Sequence, residues 1–154
     1  MLPSASCAQQ RVSAAELERQ EMHYWIDVDK ESHAAEVLAE ELAKAYRENR
    51  NYDKAYLFYK ELLMRTPADV PRLEACAEMQ VRRGKEKDAV RMYEQILTLD
   101  ADNLTAGIFL GNYYYLQAEY PKARDLLRKV LARFPSTGAR QTLERIDRML
   151  SARK

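Results

Sequence analysis

Residues 104–135 read LTAGIFLGNYYYLQAEYPKARDLLRKVLARFP, and this stretch decides the fold. Its second half sets Ala123, Leu127 and Val130 at i, i+4 and i+7, the spacing of one apolar helix face. The same string occurs 34 residues earlier as Ala89, Tyr93 and Ile96, and once more at the same interval as Ala55, Tyr59 and Leu62. A period of 34 residues with no slippage means a stacked repeat, in which each unit buries its apolar face against the next.

Working outward, each alanine is preceded twelve residues earlier by a small residue, Ala43, Ala77 or Gly111, itself preceded by Leu42, Cys76 or Leu110. Small side chains there suit a point where paired helices cross, because a bulkier one would push the axes beyond the usual separation of about 8–10 Å. Breaks are expected at Arg50-Asn51, Gly84 and Ala118-Glu119 inside the units. Others are expected at Thr66-Pro67-Ala68-Asp69, Asp100-Ala101-Asp102-Asn103 and Pro135-Ser136-Thr137 between them. Pro71 and Pro121 fit the first turn of a helix, where a missing N–H leaves no bond unmade.

Leu110-Gly111, Tyr114, Ala123, Leu127 and Pro135 in the third unit, with Leu42-Ala43, Tyr46, Ala55, Tyr59 and Pro67 in the first, resemble the tetratricopeptide repeat pattern. The second unit keeps Ala77, Gly84, Ala89 and Tyr93 but has Gln80 for the tyrosine and Ala101 for the proline, and the family's early tryptophan is replaced by Ala39, Leu73 and Gly107. The resemblance implies an all-α fold, a right-handed α-α superhelix of three helix-turn-helix repeats with flanking N- and C-terminal helices. It divides the chain into a flexible terminus (1–12) and one domain (13–154). Within that domain lie an N-terminal helix (13–35), repeats at 36–69, 70–103 and 104–137, and a C-terminal capping helix (138–154). Ser13 is a ready N-cap for the first helix, and Trp25 and Ile26 are expected to dock it. Ala139, Leu143, Ile146 and Leu150 stripe the last helix.

Composition narrows the function. A formal charge of +1 gives no net field for phosphate or anionic lipid, so no nucleic-acid partner is expected. The charge is uneven: residues 1–31 carry three basic and six acidic side chains, residues 138–154 five basic and two acidic. No apolar run is long enough for a transmembrane segment. Cys7 and Cys76 offer neither a disulfide framework nor a metal-ligand spacing. Residues 1–9 resemble the tail of a secretion signal, which would make the protein periplasmic or exported; otherwise it is expected to be cytoplasmic.

No Gly-rich phosphate loop, GxSxG elbow or HExxH motif is present, so neither catalysis nor a cofactor is expected. His23 and His33 lack metal-ligand spacing and read as unrelated surface imidazoles. In Tyr113-Tyr114-Tyr115, successive helical side chains point about 100° apart and cannot form one stacking platform. Tyr114 is assigned to the core, Tyr113 to the space between repeats, and Tyr115 to the open face.

By the resemblance, the first helix of each repeat lines a concave groove that binds a peptide or helix of another protein. The matching positions are Val37, Glu40, Lys44 and Arg47, then Pro71, Glu74, Glu78 and Val81, then Thr105, Ile108, Asn112 and Tyr115. The family's Lys/Asn/Arg clamp for a peptide carboxylate is not matched: Glu40, Lys44, Ala75, Thr105 and Phe109 occupy its places. The alternative is self-association into a homo-oligomer through the oppositely charged ends.

Overall fold

The computed structural model describes residues 12–27, 29 and 31–152. The reading of residues 1–9 as a signal remnant lies outside the described residues. Among these there are eight helices and no strand: α1 (Ala14–Ile26), α2 (His33–Glu48), α3 (Tyr52–Arg65), α4 (Val70–Arg82), α5 (Glu86–Leu99), α6 (Leu104–Leu116), α7 (Tyr120–Arg133) and α8 (Thr137–Ser151). The expected all-α helical repeat is the observed fold. Helices α3, α5 and α7 begin at Tyr52, Glu86 and Tyr120, so the 34-residue period of the sequence is also the period of the structure.

Local chemistry sets the boundaries. Ser13, Ser32, Asp69, Asn103 and Ser136 each accept a backbone N–H with their side chains at the start of α1, α2, α4, α6 and α8, which satisfies a donor that helix geometry leaves open. The first helix of every repeat ends in one motif. Arg50, Gly84 and Ala118 take positive φ values of 61°, 73° and 59°. The following residue then donates its N–H five residues back, Asn51 to Tyr46, Lys85 to Gln80 and Glu119 to Tyr114, at 2.9 Å each. This is a Schellman end, which satisfies terminal carbonyls and reverses the chain into the second helix. Pro71 and Pro121 occupy first-turn positions of α4 and α7.

The helices pair as hairpins, α2 with α3, α4 with α5 and α6 with α7, and divide into two compact units at Arg65 and Thr66. In the first unit, Ala43 and Ala55 are fully buried with Leu42, Phe58 and Leu62, and Tyr46 and Tyr59 lie beside them. Helix α1 adds Leu17 and Tyr24 to this core. The Tyr24 ring meets Phe58 edge-on at 5.4 Å, while Tyr46 stacks on Phe58 at 5.9 Å. Trp25 reaches Phe58 at 5.8 Å, but Ile26 is 72% exposed and does not dock as expected, because two residues on from Tyr24 it is turned about 200° from the buried Leu17–Tyr24 face of α1.

A polar latch ties α1 to the same pair. Glu21 accepts hydrogen bonds from the Tyr46 hydroxyl and the Lys54 ammonium, each at 2.6 Å. Burial would raise the Glu21 carboxyl, but these bonds and the Lys54 charge outweigh it and hold its pKa below the ordinary value. Burial and then Glu21 push the Tyr46 phenol up to about 12.

In the second unit Leu73, Cys76, Ala77, Met79, Ala89, Tyr93 and Ile96 form the core of α4 and α5, and Ala106, Leu110, Ala123 and Leu127 that of α6 and α7. Helix α8 closes this end with Ala139 and Ile146 against Ala123 and Leu127. Tyr114, assigned to the core, is only half-buried: its ring packs on that cluster while its hydroxyl bonds Glu94, and Lys122 lies 5.1 Å above the ring. Lys54 stands over Tyr46 at the same 5.1 Å, so repeats one and three share a tyrosine–lysine pair. Repeat two has Gln80 and Asp88 there, and buried Gln80 accepts from Arg83 instead.

Candidate functional site

Helix α6 is unlike the other seven, for its thirteen residues, LTAGIFLGNYYYL, include no charged side chain on any face. A helix apolar all round is normally covered all round. Here one side packs on α7 through Leu110 and Gly111, another meets α8, and a third is left open toward α5. That open side is a cleft of about 500 Å³, within the span of roughly 300–1,000 Å³ typical of ligand sites.

Tyr93 of α5 and Phe109 of α6 form its floor, their rings 4.3 Å apart at 32°. Leu104, Ile108, Tyr113 and Leu116 make the walls, with Leu116 73% exposed, and Glu86, Thr105 and Asn112 supply polar groups. The Tyr93 side chain is buried, yet its hydroxyl has no hydrogen-bond partner among the described residues. Burial, followed by the carboxylates of Glu78 and Glu74, pushes this phenol up to about 12, so it stays a donor across the physiological range.

The predicted groove positions separate on this map. Thr105, Ile108 and Asn112 line the cleft, and Glu74 and Glu78 lie near enough to Tyr93 to act on it. Glu74 accepts from the Asn103 amide at 2.7 Å, tying α4 to the α6 cap, and Arg82 stands 3.7 Å from Glu78. Val81 and Pro71 are exposed on α4.

Tyr115 is not on the open face: it is half-buried against the Ala123–Leu127–Ala139–Ile146 cluster and 6.0 Å from Tyr120. Asn112 accepts from the Thr142 hydroxyl at 3.3 Å. Helix α8 therefore occupies part of the surface that the repeat pattern leaves to a ligand. Tyr113 lines the cleft.

In the first unit, Val37 is exposed on α2, Lys44 pairs with Glu40 at 2.7 Å, and Arg47 is half-buried. His23 lies 3.1 Å from Asp27 and His33 3.8 Å from Glu36, and among the described residues no three His, Cys, Asp or Glu side chains are grouped to hold a metal ion. No helix of the described residues is long and apolar enough to cross a membrane.

Five cleft residues lie outside the groove positions named above: Glu86, Leu104, Tyr113 and Leu116, with Phe109, which stood only at a place of the unmatched clamp. Tyr93 was visible only as core. The signal that marks the four on α6 is the absence of charge along that helix, which repeat-position arithmetic does not weigh.

No curated protein matches the chain in sequence. Among solved structures, a candidate protein-binding protein from Bacteroides ovatus is 51% identical, covers 90% of this chain and 84% of its own length, and superposes with a TM-score of 0.84. The first tetratricopeptide domain of Spaghetti, solved bound to an HSP90 peptide, is 19% identical over 75% of this chain and 95% of that one, with a TM-score of 0.63. The Sgt2 tetratricopeptide domain from Aspergillus fumigatus is 21% identical over 75% of this chain and 79% of that one, with a TM-score of 0.61. These last two likenesses show the shared fold. Tetratricopeptide repeat profiles match residues 38–71 and 80–146, and with the 34-residue hairpins described above they make this chain a member of the tetratricopeptide repeat family.

Proposed function

We propose that the chain is a non-catalytic scaffold that binds a peptide or helix of a partner protein, and that the α6 cleft is where it does so. One observation carries this reading: an uncharged helix with an open aromatic and aliphatic face, at whose base the Tyr93 hydroxyl lacks a partner among the described residues. Apolar side chains of an extended or helical segment would gain by leaving water against Ile108, Phe109 and Leu116, and a backbone carbonyl of that segment would accept from Tyr93. The Spaghetti domain, solved with a peptide, supports this kind of partner for the fold.

The test is selection of peptides from a displayed random library, followed by NMR mapping of the best binder on the labelled protein. Shifts centred on Ile108, Phe109, Tyr113 and Leu116, lost in Leu116→Glu, are expected. Binding that maps away from α6, or survives Leu116→Glu unchanged, overturns the assignment.

A further inference from the structure

Resting on that cleft reading, we infer that the occupant is a basic amphipathic segment of a partner protein, with apolar side chains against Ile108, Phe109 and Leu116 and Lys or Arg beside Glu78 and Glu86. Three features of the second unit point the same way. First, the cleft wall on α6 contributes no charge, so the local sign is set by the neighbouring helices. The groups these present are acidic: Glu86 in the first turn of α5 lines the cleft and has no side-chain partner among the described residues, and Glu78 and Glu74 of α4 act on the Tyr93 phenol.

Second, Tyr93 is 4% exposed, and its unpartnered hydroxyl belongs to the cleft. The hydroxyl therefore donates to water in the open cleft, and an incoming backbone carbonyl or side-chain oxygen can take the place of that water. Third, the floor is aromatic. The part-buried rings of Phe109 and Tyr113 attract the ammonium or guanidinium of a long basic side chain, whose methylenes pack on the same rings. An acidic peptide such as the HSP90 segment SRMEEVD, held by the Spaghetti domain, would meet like charge here.

The experiment uses the full chain and fluorescence anisotropy with three labelled probes: an amphipathic peptide with Leu anchors and Lys flanks, the same anchors with Glu flanks, and SRMEEVD. The Lys-flanked peptide is expected to bind at least about ten-fold tighter than either other probe at low salt, with the advantage collapsing near 0.5 M NaCl. In Glu78→Lys/Glu86→Lys the preference should invert, while Leu116→Glu should remove binding of all three; circular dichroism checks that both variants remain helical.

Equal or stronger binding of the acidic probes, with Leu116→Glu still abolishing it, overturns the basic occupant and leaves the cleft reading standing. Binding of no probe overturns both. Self-association of the chain alone that Leu116→Glu abolishes makes the occupant a second copy and overturns the inference.

Discussion

A Cβ added to Gly111 would lie 2.6 Å from Cδ2 of Leu127 and 2.8 Å from its Cγ, so α6 and α7 touch almost backbone to side chain at this point. Leu127 is fully buried, so its side chain must shift against close-packed neighbours to make room. Gly111→Ala therefore overpacks the hairpin by roughly 1–3 kcal/mol, against about 1 kcal/mol regained from better helix propensity. The expected net loss is about 1–2 kcal/mol by urea denaturation. Adding Leu127→Ala should make the pair strongly non-additive, since the second change removes the clash caused by the first. Additive costs would show that the two residues do not meet.

The three repeat turns give a prediction of opposite sign. Ala118 and Arg50 hold the left-handed conformation that Gly84 holds at the equivalent position, and a Cβ costs roughly 1–2 kcal/mol there. Ala118→Gly should raise stability by about 0.5–1 kcal/mol despite the added unfolded-state freedom, whereas Gly84→Ala should lower it although nothing lies within 4 Å of the new methyl. Thermal melts of the two variants decide the matter, and a destabilised Ala118→Gly would count against the Schellman assignment.

Acid should loosen α1 before it unfolds anything else. The folded-state pKa of Glu21 is depressed by Lys54 and Tyr46 against the opposing effect of burial, so its stabilising contribution is present above the unfolded-state pKa and is lost as pH falls through the lower folded value. Trp25, the one tryptophan of the chain, sits on α1 at 5.8 Å from Phe58 and reports this directly. Its emission should shift to the red below about pH 4. Glu21→Gln should start closer to the acid-state spectrum and respond less, and an identical acid transition in the variant would exclude the latch.

Helix α6 should separate stability from binding within two adjacent residues. Tyr115 packs on the α7–α8 cluster, so Tyr115→Ala should cost roughly 1–3 kcal/mol of stability and leave peptide affinity nearly unchanged. Leu116 projects into solvent at the cleft, so Leu116→Glu should leave the melting temperature within about 1–2 °C while abolishing binding. Tyr93→Phe should weaken binding by roughly three- to ten-fold, the worth of one neutral hydrogen bond. Calorimetric titration alongside melting curves reads all three, and an unchanged affinity in Tyr93→Phe would remove the hydroxyl from the site.

Much of the fold is legible one residue at a time. The alanines at 55, 89 and 123, the small residues at 43, 77 and 111 and the breaks at 50, 84 and 118 repeat at one interval, because every stacked hairpin meets the same steric demand at its crossing and its turn. The candidate site was less legible. Repeat positions named Thr105, Ile108 and Asn112, which line the cleft, but they also named Tyr115, which α8 helps to cover, and did not name Tyr113 or Leu116.

Period, helix limits and crossing points were determined by the amino-acid sequence alone, since each depends on neighbours within a few residues or on an identical partner 34 residues away. Which side of α6 stays open was decided only in the tertiary structure. A helix with no charge carries no mark of its solvent face, and only the packing of α7 and α8 on two of its sides leaves the third, with Tyr93 beneath it, facing water.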